Sequence, residues 1–224
     1  GVFKYGRFFT ENVNSVFGTD YSFISLVLPL GISFFTFEQI AYLVDVRRNR
    51  RLTVDLLRYT LFVSFFPRLV AGPILRYYEV IPQFPDRKPV KLSWDNLAVG
   101  LTLFIIGLAK KAILADGIAQ YVTPVFATAG RGEAVDFFMA WGGVLAYTLQ
   151  LYFDFSGYSD MAIGAARCFG LRFPQNFNSP YKATSIIEFW RRWHITLSRF
   201  LRDYLYISLG GNRHGRLSRH VNLM

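Results

Sequence analysis

Five apolar stretches, each broken or flanked by a charge, a proline or a glycine, constrain this chain more than any other feature. The first charge-free run is Tyr21 to Phe37, and it continues past Glu38 through Ile40-Ala41-Tyr42-Leu43-Val44; the second clear run is Phe137 to Phe153. Both sit at the short end of the ~17–25 residues that cross hydrocarbon. Asn96 to Ala109 and Gly117 to Gly130 are shorter, with Lys110, Lys111 and Asp116 interrupting between them. Leu56 to Leu75 carries Arg58 and Arg68. No single stretch decides the fold, but five of them in 224 residues predict an all-α, polytopic transmembrane protein. Composition agrees. Only 18% of residues are charged and 52% are apolar, whereas a soluble domain has about a quarter of its residues charged.

The interruptions predict broken or re-entrant helices. Pro29-Leu30-Gly31 and Ala71-Gly72-Pro73 fall within apolar stretches, and irregular backbone at membrane depth survives only inside protein or beside water. Glu38, Asp154 and Asp160 sit where an ionised group facing lipid is costly. Two readings stand: these acids line a protein interior, or they lie at helix ends in the headgroup layer. Twenty-three Phe and thirteen Tyr suit apolar faces with amphipathic rings near a water interface.

The formal charge of +10 fits basic loops retained on the cytoplasmic side. Arg47-Arg48-Asn49-Arg50-Arg51 is the better candidate for such a loop, and residues 85–91 form a second basic one. No nucleic-acid partner is expected, because the basic residues fall in short clusters between apolar runs and not along one polar face. Cys168, the sole cysteine, excludes an internal disulfide and a thiolate metal cluster within this stretch. It is either an acyl-carrying thiol or a small buried hydrophobe. A start at Gly1 and an end at Val221-Asn222-Leu223-Met224 suggest a single membrane domain, residues 1–224, cut at both ends.

The segment from Thr184 to Tyr206 carries the most chemistry. At roughly 100° per residue, Ile186, Trp190, Trp193, Leu197, Phe200, Leu201 and Tyr204 share one face of a predicted amphipathic, interfacial helix. Glu188, Arg191, Arg192, Arg199, Arg202 and Asp203 take the other. Thr184 or Ser185 is placed to cap it with Glu188 in a capping box, and Gly210-Gly211 to end it. His194 lies at the edge of the aromatic face. Burial there keeps an imidazole neutral and able to accept a proton, as acyl transfer to a hydroxyl requires; a packed histidine bonded to a backbone carbonyl is the alternative. His214 and His220 belong to a basic tail, and the three histidines lack the short spacing of a metal site. No nucleophile elbow or Walker-type phosphate loop is present.

The motifs, taken in order, resemble a known family. Tyr152-Phe153-Asp154-Phe155-Ser156-Gly157-Tyr158-Ser159-Asp160-Met161-Ala162 precedes Phe173-Pro174-Gln175-Asn176-Phe177. Glu188-Phe189-Trp190-Arg191-Arg192-Trp193-His194-Ile195, Arg202-Asp203-Tyr204-Leu205-Tyr206-Ile207 and Leu209-Gly210-Gly211-Asn212-Arg213 follow. Residues 28–37 and 68–74 complete the pattern. It is similar to the membrane-bound O-acyltransferases, and within them to the bacterial alginate O-acetyltransferase membrane subunits, over essentially the whole chain.

The resemblance implies a helical protein of the bacterial inner membrane, multi-pass, with a tunnel through it. An acyl group, acetyl in this branch, passes from a cytoplasmic thioester (acetyl-CoA or an acyl carrier, a co-substrate with no bound cofactor) towards hydroxyls of an exported, alginate-like polysaccharide. Membrane lipids and periplasmic acetyltransferase proteins are the implied partners; a sister branch transfers D-alanine to teichoic acid. His194 matches a tunnel-associated histidine. Asp154, Ser156, Tyr158, Asp160, Trp190, Trp193, Arg191 and Arg192 are the candidate substrate contacts. The family's second, principal histidine, in a Trp-His-Gly motif, is expected beyond Met224, leaving the catalytic centre incomplete in this stretch. The alternatives are another acyl transfer to an envelope polymer, a transporter-like membrane protein, or a non-catalytic fragment.

Overall fold

Helices account for every regular element in the computed structural model, which describes residues 2–22, 31–48, 55–68, 72–84, 93–213 and 215. In chain order they are α1 (Val2–Phe17), α2 (Ile32–Arg48), α3 (Leu56–Ser64), the short α4 (Tyr77–Val80), α5 (Trp94–Ala109), α6 (Asp116–Gly130), α7 (Phe137–Cys168), α8 (Ile186–Arg192) and α9 (Ile195–Phe200). Pro29, Leu30, residues 49–51, Ala71, the basic residues 85–91, His214 and His220 lie outside the described residues, so the expectations placed on them do too. Side-chain caps mark several starts: Asp55 accepts from Leu57 N–H, Ser93 from Asn96 N–H and Asp136 from Phe138 N–H, each satisfying a donor that the first turn leaves free.

The sequence separates residues 96–109 from 117–130 at the two lysines, but the structure joins them. Lys110–Ala115 is π-helical and carries α5 into α6 as one continuous helix, Trp94–Gly130, of 37 residues. At 1.5 Å per residue it is roughly 55 Å long, well over the ~30 Å of hydrocarbon in a bilayer. Among the described residues this is the one helix long and apolar enough to cross a membrane by length and composition. Leu101, Ile105, Ile106, Ile113 and Leu114 are exposed on it.

The wide turn has a visible cause in its ion pairs. Consecutive lysines on an α-helix point about 100° apart, yet both reach α7. Lys110 Nζ lies 2.5 Å from Asp160, and Lys111 Nζ lies 2.6 Å from Asp154 and 2.8 Å from Asp116. Glu38, Asp154 and Asp160 therefore sit well inside helices and are paired, away from the helix ends.

Four glycines set how closely α5 and α7 approach. A Cβ on Gly107 would lie 2.5 Å from the Gly157 carbonyl oxygen, and one on Gly164 would lie 2.5 Å from that of Gly100. Seven residues separate the glycines on each helix and the pairing is antiparallel, so the contacts recur every two turns. Close backbone approach at small residues is how helices associate where the hydrophobic effect gives no help.

The second half of the core is not helical at its centre. Gly72, Pro73, Ile74 and Leu75 are buried in a non-helical stretch whose amide groups find scattered partners. Gly72 N–H donates to Arg68 O (3.3 Å), Ile74 N–H to Thr196 Oγ1 (3.0 Å) and Leu75 N–H to Glu38 Oε1 (3.5 Å). Glu38 and Arg68 form an ion pair that is almost fully buried, with the guanidinium donating to Phe62 O and lying 4.1 Å above the Phe62 ring. Around them pack Tyr42, Phe62, Leu75, Tyr77, Val80, Ala166 and Leu171.

Two expectations follow for thermal stability of the detergent-solubilised protein. Gly107→Val should lower it by about 1–3 kcal/mol through overpacking, while Gly142→Ala, which meets nothing within 4 Å, should leave it unchanged or slightly raised. Removing one partner of the buried pair, as in Arg68→Leu, should cost about 3–5 kcal/mol, and replacing both by apolar residues should recover much of that loss.

Candidate active site

The sequence predicts one helix from Thr184 to Tyr206; the structure breaks it at Trp193 and His194. Trp193 is extended (φ −98°, ψ 127°) and His194 is left-handed (φ 43°, ψ 55°). Two hydrogen bonds that a continuous helix would make are replaced. Ile195 N–H donates to Asn176 O (2.9 Å) and Thr196 N–H to Asn176 Oδ1 (3.4 Å), so neither reaches back to residues 191 and 192. Arg192 O accepts from Asn178 N–H instead (2.9 Å). The loop at 176–178 thus competes with the helix for its own backbone and wins. Left-handed geometry at a non-glycine residue costs about 1–3 kcal/mol and persists only where surroundings over-determine it. Ser179, one residue past the clamp, is left-handed as well (φ 46°).

The start of α8 is as the sequence predicts. Ser185 Oγ accepts from Glu188 N–H (3.2 Å), and Glu188 Oε2 accepts from Thr184 N–H (2.9 Å) and its hydroxyl (3.0 Å). Those bonds, with Arg192 alongside, hold the Glu188 carboxyl down at about 2. After α9 the helix widens again into a π segment, Leu201–Tyr206.

Breaking the helix turns His194 into the molecule. Its side chain is buried, its ring meets Phe155 edge-on at 4.8 Å, and it stacks beside Phe177 at 6.4 Å. His194 Nδ1 lies 2.8 Å from Asn176 Oδ1. Burial pushes the imidazole down to about 4, so it stays neutral through physiological pH. Asn176 is the hub: 1% exposed, it takes the Thr196 hydroxyl on Oδ1 (2.9 Å) and gives Nδ2–H to Ser159 Oγ (3.0 Å).

An aromatic wall leads outwards from the ring. Phe177 contacts Trp193 (5.1 Å) and Tyr152 (5.9 Å), and Tyr152 contacts Tyr181 (5.3 Å). Tyr152 and Tyr181, with Ser179, Pro180 and Lys182, line a shallow cleft of about 160 Å3.

The structure brings some sequence candidates to this place and directs others elsewhere. Trp193 stands in the wall next to His194. Trp190 and Arg191 are exposed, and Arg192 pairs with Glu188 at 2.6 Å. On α7, Phe155 and Ser159 face the histidine side, whereas Asp154 and Asp160 flank the glycine contact with α5, paired to lysines. Ser156 is 1% exposed and its hydroxyl has no partner among the described residues; Tyr158 is half-buried on the same helix. Among the described residues no three His, Cys, Asp or Glu side chains gather closely enough to hold a metal ion. Asn176, Ser159, Thr196, Phe155 and Phe177 surround the His194 side chain, and helix periodicity misses them. Asn176 and Phe177 are signalled by the run Phe173-Pro174-Gln175-Asn176-Phe177, whose proline and amides mark a structured loop, and Phe155 and Ser159 by the motif from Tyr152 to Ala162.

Residues 46–224 match the model of the membrane-bound O-acyltransferase family. Over its full length the chain is 45% identical to the peptidoglycan O-acetyltransferase of Helicobacter pylori and 47% identical to a Pseudomonas aeruginosa protein named "Probable alginate O-acetylase AlgI". Over 82% of its length it is 30% identical to the teichoic acid D-alanyltransferase of Bacillus subtilis. It spans less than half of each of these relatives: 47%, 42% and 46% of their lengths. A family match across four-fifths of the chain, with an all-helical fold and a helix fit to cross a bilayer, places this protein in the membrane-bound O-acyltransferase family.

Proposed function

We propose that the full-length protein moves an acetyl group from a cytoplasmic thioester to hydroxyls of a cell-envelope polysaccharide, with His194 as a base at the acceptor. The observation that carries this reading is a buried imidazole held at a helix break within an aromatic wall. In the transfer, the ring takes the proton of the attacking hydroxyl as its oxygen bonds to the thioester carbonyl carbon. The carbon–sulfur bond then breaks, and the proton passes on to the departing thiolate. A neutral base inside an apolar wall suits this step, because water that would hydrolyse the thioester is kept out. The family pattern adds a further histidine downstream, and His194 is this stretch's share of the centre.

Acetyl is favoured over D-alanyl by similarity: the two O-acetylating relatives are 45% and 47% identical, the D-alanyl one 30%. Alginate-like polysaccharide and peptidoglycan are both fitting acceptors. We place the protein in the bacterial inner membrane, crossing it several times, with Trp94–Gly130 as one of its spans. Lipids and periplasmic acetyltransferases are its partners there, and acetyl-CoA or an acyl carrier is its donor.

In cells producing the full-length protein with His194→Ala, the rate of O-acetyl incorporation into envelope polymer should fall by about 10²–10⁴-fold, the usual worth of a general base. Measuring exported polysaccharide and peptidoglycan separately identifies the acceptor. Wild-type incorporation with unchanged protein in the membrane would exclude His194 as the base.

A further inference from the structure

We propose that Asn176 is a positioning residue for the transfer reaction: its amide oxygen holds the proton on His194 Nδ1 and so presents the Nε2 lone pair to the acceptor hydroxyl. The inference rests on the reading of His194 as the base and adds which nitrogen acts and what selects it.

The orientation of the amide follows from its neighbours. Thr196 N–H points at the Asn176 atom that also meets His194, at 3.4 Å, and only an oxygen accepts there. The Thr196 hydroxyl agrees. It already accepts Ile74 N–H at 3.0 Å, so its own proton is free to go to Asn176 at 2.9 Å. The amide NH2 then faces Ser159 Oγ at 3.0 Å. With an oxygen fixed 2.8 Å from Nδ1, that ring nitrogen must donate. A neutral imidazole carries one N–H, so its lone pair is on Nε2.

The ring is also kept from becoming a cation. Burial pushes its basicity down. The elements against it offer Phe155 and Ser159 from α7, Phe177 and Asn176 from the loop, and Trp193 from the end of α8. The acids nearest in sequence are engaged elsewhere, Asp154 with Lys111, Asp160 with Lys110 and Glu188 with Arg192. An amide at position 176 orients the ring without charging it, which a carboxylate would not do. Holding the base in one tautomer is the role an orienting partner plays in hydrolytic triads, filled here by a neutral group.

The test reads the ring directly, without substrate. Full-length protein carrying ¹⁵N-histidine is titrated in detergent, and the His194 resonance is the one lost in His194→Gln. In the wild type, Nδ1 should stay protonated and Nε2 unprotonated across neutral pH. In Asn176→Asp, a carboxylate against the ring stabilises the imidazolium, so the midpoint should rise by about one pH unit or more. A wild-type ring protonated on Nε2, or an Asp variant titrating like the wild type, overturns the inference. If the variant does not accumulate, the wild-type spectrum alone decides. The two readings fail separately: normal acetylation by His194→Ala removes the base and this inference with it, whereas an Nε2–H tautomer with an inactive His194→Ala removes only the role of Asn176.

Discussion

A backbone that leaves its helix inside an apolar interior must have its N–H and C=O groups met by something other than water. Here two breaks are met by one set of side chains. The non-helical stretch at Gly72–Leu75 and the kink at Trp193–His194 share Thr196, whose hydroxyl accepts from Ile74 N–H and donates to Asn176. One residue further on, Leu75 N–H is taken by Glu38, whose carboxylate is held by Arg68. The support of the candidate site and the support of the core are therefore adjacent amides on one buried strand of chain.

This arrangement explains why a neutral base sits where it does. A histidine within a regular helix would share its face with residues three and four positions away, here the arginines and aromatics of α8. At the break its side chain leaves that face and enters the wall built by α7 and the loop at 176–178. The left-handed backbone of His194 is a local cost, set against replacement bonds from Asn176 and Asn178 and the ring contacts that follow.

Much of this was legible in the residues. The apolar runs foretold a helical protein, Glu188 with Thr184 and Ser185 foretold the start of α8, and the ordered motifs foretold the family. Three things were not legible. Lys110, Lys111 and Asp116 interrupted two short apolar segments, because charge in an apolar run argues for a break unless partners are known; the partners, Asp154 and Asp160, lie some 45 residues on. The kink at 193–194 carries no glycine or proline, being imposed by hydrogen bonds from a loop distant in sequence. Asn176 stood in the ordered motifs without a role of its own, because its burial to 1% is a tertiary fact.

The glycine contacts between α5 and α7 act as a ruler. Because Gly100 meets Gly164 and Gly107 meets Gly157 with no room for a methyl group, sliding one helix by a turn would drive Leu103 or Phe104 into a facing carbonyl. The pair has a single axial setting. The two helices can tilt together but cannot shear past one another, so Ser159 keeps its height beneath Asn176.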